Sequence, residues 1–205
     1  SDGTKLMRIA EATEMLADDD PLVRTLIAGR YRVIKRVGEG GMGLVYLAEH
    51  EAIEKRVAIK VLREQYAQRE DLVQRFQQEA KSASRVKHED VLDVFDFGRT
   101  DDGRFFLAME LLDGTDLAKV LASEGVLDPA RAVRLSVRMA RALGAAHARG
   151  VIHRDMKPEN VFVRVGDDGR EHIKIVDFGI ATLRAEGEAG TDPGAKLTRR
   201  KLTKT

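Results

Sequence analysis

Two carboxylates and an amide stand close together in one stretch of this chain. Asp155 and Asn160 lie in His153-Arg154-Asp155-Met156-Lys157-Pro158-Glu159-Asn160, and Asp177 opens Asp177-Phe178-Gly179 shortly afterwards. Pro158 discourages helix between the first two, so both side chains are expected to face one cleft. Asp177 follows Ile173-Lys174-Ile175-Val176, an apolar strand interrupted by one Lys and preceded by the turn Gly166-Asp167-Asp168-Gly169. Oxygen ligands of this kind suit magnesium, which takes one or two side chains and completes its shell with phosphate oxygens and water. A free carboxylate such as Asp155 can then orient a hydroxyl and accept its proton.

The elements that must hold these groups are legible upstream. Tyr31 to Val37 and Leu44 to Ala48 read as paired strands, joined by Gly38-Glu39-Gly40-Gly41-Met42-Gly43. Glycines there let backbone amides approach phosphate oxygens closely. The Gly-x-Gly-x-x-Gly spacing also occurs in dinucleotide-binding turns, but those lead into a helix and here a second strand follows. In Arg56 to Leu62 the residues Val57, Ile59 and Val61 share one face, and Ala58, Lys60 and Leu62 the other. A Lys on an apolar face needs a partner. Asp71 to Val86 has helical periodicity, and Glu79 falls inside its stripe of Leu72, Phe76, Ala83 and Val86, so a Lys60–Glu79 ion pair is expected. Val91 to Phe97 and Arg104 to Met109 complete five antiparallel strands. Beyond them Thr115 to Ser123 reads as a short helix, and Asp128-Pro129 starts a longer one that Gly150 caps.

The His153 to Asn160 run and Asp177-Phe178-Gly179 resemble the catalytic loop and magnesium-binding segment of eukaryotic-type protein kinases, and most of all the eukaryotic-like Ser/Thr kinases of bacteria. The resemblance implies an α+β, two-lobed protein kinase fold: a five-stranded antiparallel small lobe with its helix C, and a partial, mainly helical large lobe. It implies ATP and Mg2+ as cofactors and γ-phosphate transfer to Ser or Thr hydroxyls of proteins, with Lys157, two after Asp155, similar to the Ser/Thr branch. Asp155 would be the catalytic base, Lys157 would touch the transferred phosphate, and Asn160 and Asp177 would hold magnesium. Lys60 would bind the α and β phosphates, held by Glu79. Val37, Gly38, Glu39, Gly40, Gly41, Met42 and Gly43 would form the lid over ATP. Val45, Ala58 and Phe162 would sandwich the adenine, Met109 would be the gatekeeper, and the backbone of Glu110 and Leu112 would bind the base. A lone His without a second ligand is usually a hydrogen-bonding core residue, so His153 is read as structural, and the resemblance implies that it packs with Phe178.

Composition narrows the alternatives. The 205 residues are 43% hydrophobic and 34% charged, ordinary for a globular chain, and the formal charge of +1 offers no field for nucleic acid or an anionic membrane. With no cysteine there are no disulfides or thiolate metal sites, which agrees with a cytoplasmic setting. No apolar run approaches a bilayer span within the chain, and an anchor beyond residue 205 is left open.

The reading divides the chain into an N-terminal extension (1–28), a small lobe (29–109), a hinge (110–114), a partial large lobe (115–181) and the start of an activation loop (182–205). The extension carries a weak helical stripe of Leu6, Ile9, Ala10, Thr13 and Leu16, and is read as loosely docked rather than as a specific partner helix. Arg131, Arg134, Arg138 and Arg141 form a row read as a solvated face, with docking of an acidic partner as the alternative. The other apolar positions of that helix, Val133, Leu135, Val137, Met139, Ala140 and Leu143, call for burial against further protein. Thr198, Thr203 and Thr205 are candidate autophosphorylation sites, which would involve self-association. The alternative is a solvated basic linker. Because the resemblance stops near Ala181, before any Ala-Pro-Glu segment, the chain is read as a piece of a longer kinase. The rival readings are a nucleotide-binding pseudokinase and, against the Lys157-Pro158-Glu159-Asn160 run, a small-molecule phosphotransferase.

Overall fold

The structure, a computed structural model, describes residues 5–6, 20–166 and 169–178. Its first sheet is antiparallel throughout, with strands β1 (Lys5–Leu6), β2 (Leu26–Ile27), β3 (Tyr31–Glu39), β4 (Gly43–His50), β5 (Lys55–Leu62), β6 (Val94–Arg99) and β7 (Phe105–Met109). They run in the order β1-β3-β4-β5-β7-β6, with β2 also on β3. The five long strands are those expected, and two short ones are added. Val57, Ile59 and Val61 face a core with Tyr31, Val33, Tyr46 and Phe106. The opposite face of β5 receives helix α1 (Glu70–Arg85), which buries Phe76, Glu79 and Ala80.

The N-terminal segment departs from the expectation. Lys5 and Leu6 pair as a strand with Glu39 and Gly38 instead of continuing a helix. A short weakly amphipathic helix is marginal alone, whereas a strand edge offers backbone partners at once. The remaining stripe residues, Ile9, Ala10, Thr13 and Leu16, lie outside the described residues. Closer to β3 the chain is firmly docked: Leu22 and Ile27 are buried in the sheet's core, and the Tyr46 hydroxyl donates to Asp20 Oδ2 at 2.9 Å.

The second half begins with β8 (Thr115–Asp116), so the helix expected from Thr115 starts two residues later as α2 (Leu117–Glu124). Asp116 caps it by accepting from the Lys119 amide at 2.9 Å. Helix α3 (Pro129–His147) starts as expected, with Asp128 accepting from the Arg131 amide at 2.9 Å. Strands β9 (Val161–Val165) and β10 (Glu171–Ile175) form a hairpin that continues the β8 ladder. Asp167 and Asp168 of its turn lie outside the described residues, and the flanking Gly166 amide donates to Arg170 O at 2.8 Å. Leu135, Ala142 and Ala146 of α3 pack on this hairpin and on Val151 and Phe178. Val133 and Val137, expected to need cover, are exposed.

The arginine row is not uniformly solvated. Arg131 bonds Glu171 at 2.7 Å and pairs with Glu124, and Arg138 pairs with Asp90, a carboxylate only 2% exposed. Such a buried charge is stable only when paired. The strand expected from Val91 begins at Val94 instead. Val91 and Leu92 are drawn to the second sheet, where the Leu92 amide donates to Ile175 O at 3.0 Å and the Ile175 amide to Asp90 O at 2.8 Å.

Candidate active site

The site lies where the two sheets meet, and its charged centre is Lys60. Its ammonium donates to Glu79 Oε1 at 2.7 Å and lies 3.5 Å from Asp177 Oδ1, and the side chains of Lys60 and Glu79 are 3% and 4% exposed. Three elements therefore converge on one ammonium: β5, α1 and the segment after β10. Burial alone would depress the Lys60 pKa, but Glu79 and Asp177 together hold it well above its ordinary value. Burial pushes the Glu79 carboxyl up against the pull of Lys60, with Asp177 pushing the same way. Lys60 is thus shared between two carboxylates, Glu79 and Asp177.

Asp155, Lys157 and Asn160 form a second group. The Asn160 amide donates to Asp155 O at 2.8 Å and to Asp155 Oδ2 at 3.2 Å, and Lys157 Nζ lies 2.9 Å from the same Oδ2. Pro158 permits a single 3₁₀ turn, Pro158–Asn160, which sets Asn160 back against Asp155. The amide nitrogen is committed to Asp155, and Asn160 Oδ1 is buried with no hydrogen-bond partner among the described residues. A buried acceptor of this kind fits a metal ligand, and with Asp177 it could supply the one or two side-chain oxygens that magnesium usually takes from a protein. Among the described residues no cluster of three or more His, Cys, Asp and Glu suits a metal, so the remaining ligands would have to be phosphate oxygens and water. Arg154 and Asp177 both take positive φ, 63° and 60°, a backbone geometry that is strained for non-glycine residues and that Arg24, Ala28 and Glu54 also adopt away from the site.

His153 fastens the two groups together. Its Nε2 is 2.8 Å from Val176 O, its Nδ1 accepts from the Asp155 amide at 3.3 Å, and its ring packs on Phe178 at 4.7 Å between centroids. With both nitrogens used this way the imidazole is neutral, and burial pushes its pKa down. That is the packing role the sequence suggested.

Val45, Ala58, Met109 and Phe162 come together in one apolar cluster, to which Leu92 and Val176 contribute and against which Val37 and Leu112 pack. Leu92 and Val176 had not been singled out. Val176 could have been, from its place just before Asp177. The glycine turn closes through the Gly40 amide on Gly43 O at 2.8 Å. A Cβ on Gly43 would stand 2.6 Å from Val61 O, so β4 and β5 can approach there only without a side chain. Glu39 at the tip is held by Arg36 and, at 2.8 Å, by Arg63. Met42 turns into the apolar cluster of Leu62 and Phe76 under α1, so only its backbone faces the turn. After Met109, Glu110 donates its amide to Asp93 O at 2.9 Å. Gly114 then passes so close to β9 that a Cβ would meet Val163 O at 2.6 Å.

A positively charged, desolvated lysine, a carboxylate held beside an amide and an apolar slot on the other side can together bind a nucleotide and handle a phosphoryl group. Comparison with known proteins agrees. The family model described as protein kinase domain matches residues 31–200. The chain is 44% identical over 182 residues to the serine/threonine-protein kinase pkn3 of Myxococcus xanthus, covering 89% of this chain and 32% of that protein. It is 37% identical over 161 residues to the serine/threonine-protein kinase PrkC of Bacillus subtilis, covering 78% and 24%. The chain thus spans a third or less of the length of these relatives. Among solved structures, the Mycobacterium tuberculosis PknI kinase domain superposes with a TM-score of 0.66 at 36% identity, covering 78% of this chain and 63% of that one. With the sheet and helix C above and the partial helical lobe below, the chain belongs to the protein kinase domain family.

Proposed function

We propose that the protein is an ATP-dependent serine/threonine kinase of bacterial signalling, acting on protein hydroxyls. The observation that carries this reading is Lys60 poised between Glu79 at 2.7 Å and Asp177 at 3.5 Å, the arrangement a triphosphate and its cation would need. Val45 and Ala58 from above and Phe162 from below would hold the adenine beside Met109. With its amide committed to Asp93, Glu110 would offer the base its carbonyl, and Leu112 would offer its amide. The glycine turn from Val37 to Gly43 would cover the phosphates with backbone amides, and Lys60 would hold the α and β phosphates. Magnesium bound by Asn160 Oδ1 and Asp177 would neutralise phosphate charge.

Asp155 would orient the substrate hydroxyl and accept its proton, with Asn160 fixing the carboxylate and Lys157 placed to follow the transferred phosphate. Protein substrates follow from this chemistry, as does self-association if the chain phosphorylates Thr198, Thr203 or Thr205, which lie outside the described residues. Among the described residues no helix is long and apolar enough to cross a membrane, and a cytoplasmic site of action belongs to the proposal.

The test is transfer of labelled γ-phosphate to a basic protein, with Asp155→Asn as control. Transfer by the wild type alone supports the assignment, and equal transfer by both refutes the role of Asp155. Uptake of ATP with magnesium but no transfer by the intact protein would favour a nucleotide-binding regulatory domain instead.

A further inference from the structure

Lys174 stands between the apolar Ile173 and Ile175 of β10, and none of the roles above uses it. Its neighbours Ile173 and Ile175 are 1% and 0% exposed and pack in the large-lobe core. Lys174 therefore faces the other way, directly across the ladder from Phe162, the residue beneath the proposed adenine slot. Its ammonium lies 2.7 Å from Glu110 Oε2 and donates to Val91 O at 3.3 Å. Glu110 is the first residue after Met109, and its amide is held by Asp93 O at 2.9 Å. The Glu110 side chain is thus tied to β10 and its backbone to the segment before β6, which together fix the direction of its carbonyl. Three residues beyond Lys174 on the same run of chain stands Asp177.

We propose that Lys174 is a positioning residue for nucleotide recognition. Through the Glu110 carboxylate it sets the backbone that reads the base, and so holds the base end of the site in register with the metal end at Asp177. The proposal rests on the kinase reading. A solvated surface pair would do little, since exposed ion pairs contribute almost nothing. Here Lys174 is only 18% exposed and its side chain is committed at two acceptors, so its loss leaves the Glu110 carboxylate to the weaker bond from the Asp93 amide at 3.5 Å as well as removing a charge.

The experiment measures binding of ATP and of inorganic tripolyphosphate, each with magnesium, by calorimetry on the intact protein. The wild type, Lys174→Met, Glu110→Gln and the double variant are compared, with thermal melts alongside. Lys174→Met is expected to weaken ATP about fivefold, the consequence of losing about 1 kcal/mol of preorganisation. Tripolyphosphate binding stays unchanged, and in transfer assays KM for ATP rises while kcat holds. Glu110→Gln, on the more exposed partner, gives the same loss, and the double variant loses no more than either. Unchanged ATP affinity in either single variant overturns the proposal, and so does equal weakening of ATP and tripolyphosphate, which marks a general disturbance of β10. Failure of the wild type itself to take up ATP overturns the kinase reading and this proposal together.

Discussion

Replacing Glu79 with Gln tests the centre of the site most directly. The substitution keeps the shape of the side chain and removes its charge, leaving the Lys60 ammonium at 3% exposure without its 2.7 Å partner. Breaking a buried pair on one side costs about 3–5 kcal/mol, because the remaining ion is desolvated and uncompensated. Asp177 at 3.5 Å offers partial compensation, which places the expected loss near the lower end, about 3 kcal/mol. For a domain of this size that lowers the melting temperature by about 6–12 °C. Lys60 would then be drawn to Asp177, withdrawing both from a nucleotide, so ATP binding should fall along with stability. Replacing both partners with apolar residues, Lys60→Met with Glu79→Leu, should recover only part of the lost stability, because the Asp177 carboxylate loses the cation 3.5 Å away, while ATP binding stays lost. Thermal melts by circular dichroism and ATP titration by calorimetry give the two readouts. A Glu79→Gln variant that melts within about 2 °C of the wild type, a difference under 1 kcal/mol, would refute the claim that the pair is buried and coupled.

Three further outcomes follow from the same geometry. Asn160→Ala removes the buried Oδ1 and the amide clasp on Asp155, so the magnesium concentration for half-maximal activity should rise about tenfold or more, read by magnesium titration of phosphate transfer. The pKa of His153 lies below its ordinary value, so the folded state binds fewer protons than the unfolded one as pH falls through 6.5. Its contribution is present above that pH and lost below it, and denaturant melts should show less acid destabilisation between pH 7 and 5 in His153→Phe than in the wild type. Arg138→Met strands the buried Asp90 carboxylate and should lower stability by about 3 kcal/mol in denaturant melts, most of it recovered in the double variant with Asp90→Asn.

The chemistry-bearing residues were legible where spacing along the chain is itself the constraint. Asp155, Lys157 and Asn160 share one loop, and the glycine turn sits between two strands that it joins. Lys60 and Glu79 were legible for another reason: each interrupts an apolar face, and two buried opposite charges imply each other. Lys174 also interrupts an apolar run, Ile173 to Val176, but its partner was not legible, because Glu110 is 64 residues away on a connection with no periodicity of its own. Arg138 illustrates the opposite difficulty. A row of arginines along a helix looks solvated, and only the return of the Asp90 segment against α3 turns one of them into the partner of a buried acid. The docking of Leu22, Ile27 and Asp20 on the small lobe was hidden because two-residue strands carry no pattern to detect.

By itself, the sequence determined which side chains carry charge, where glycine and proline bend the backbone, and which faces of each strand and helix are apolar, because these depend on residues near one another in the chain. Tertiary structure alone decided that one ammonium would serve two carboxylates, that the Asn160 oxygen would be buried without a donor among the described residues, and that β10 would be tied to the segment after Met109. Those contacts depend on how the two sheets meet, and no local pattern records the distance between elements that touch only after folding.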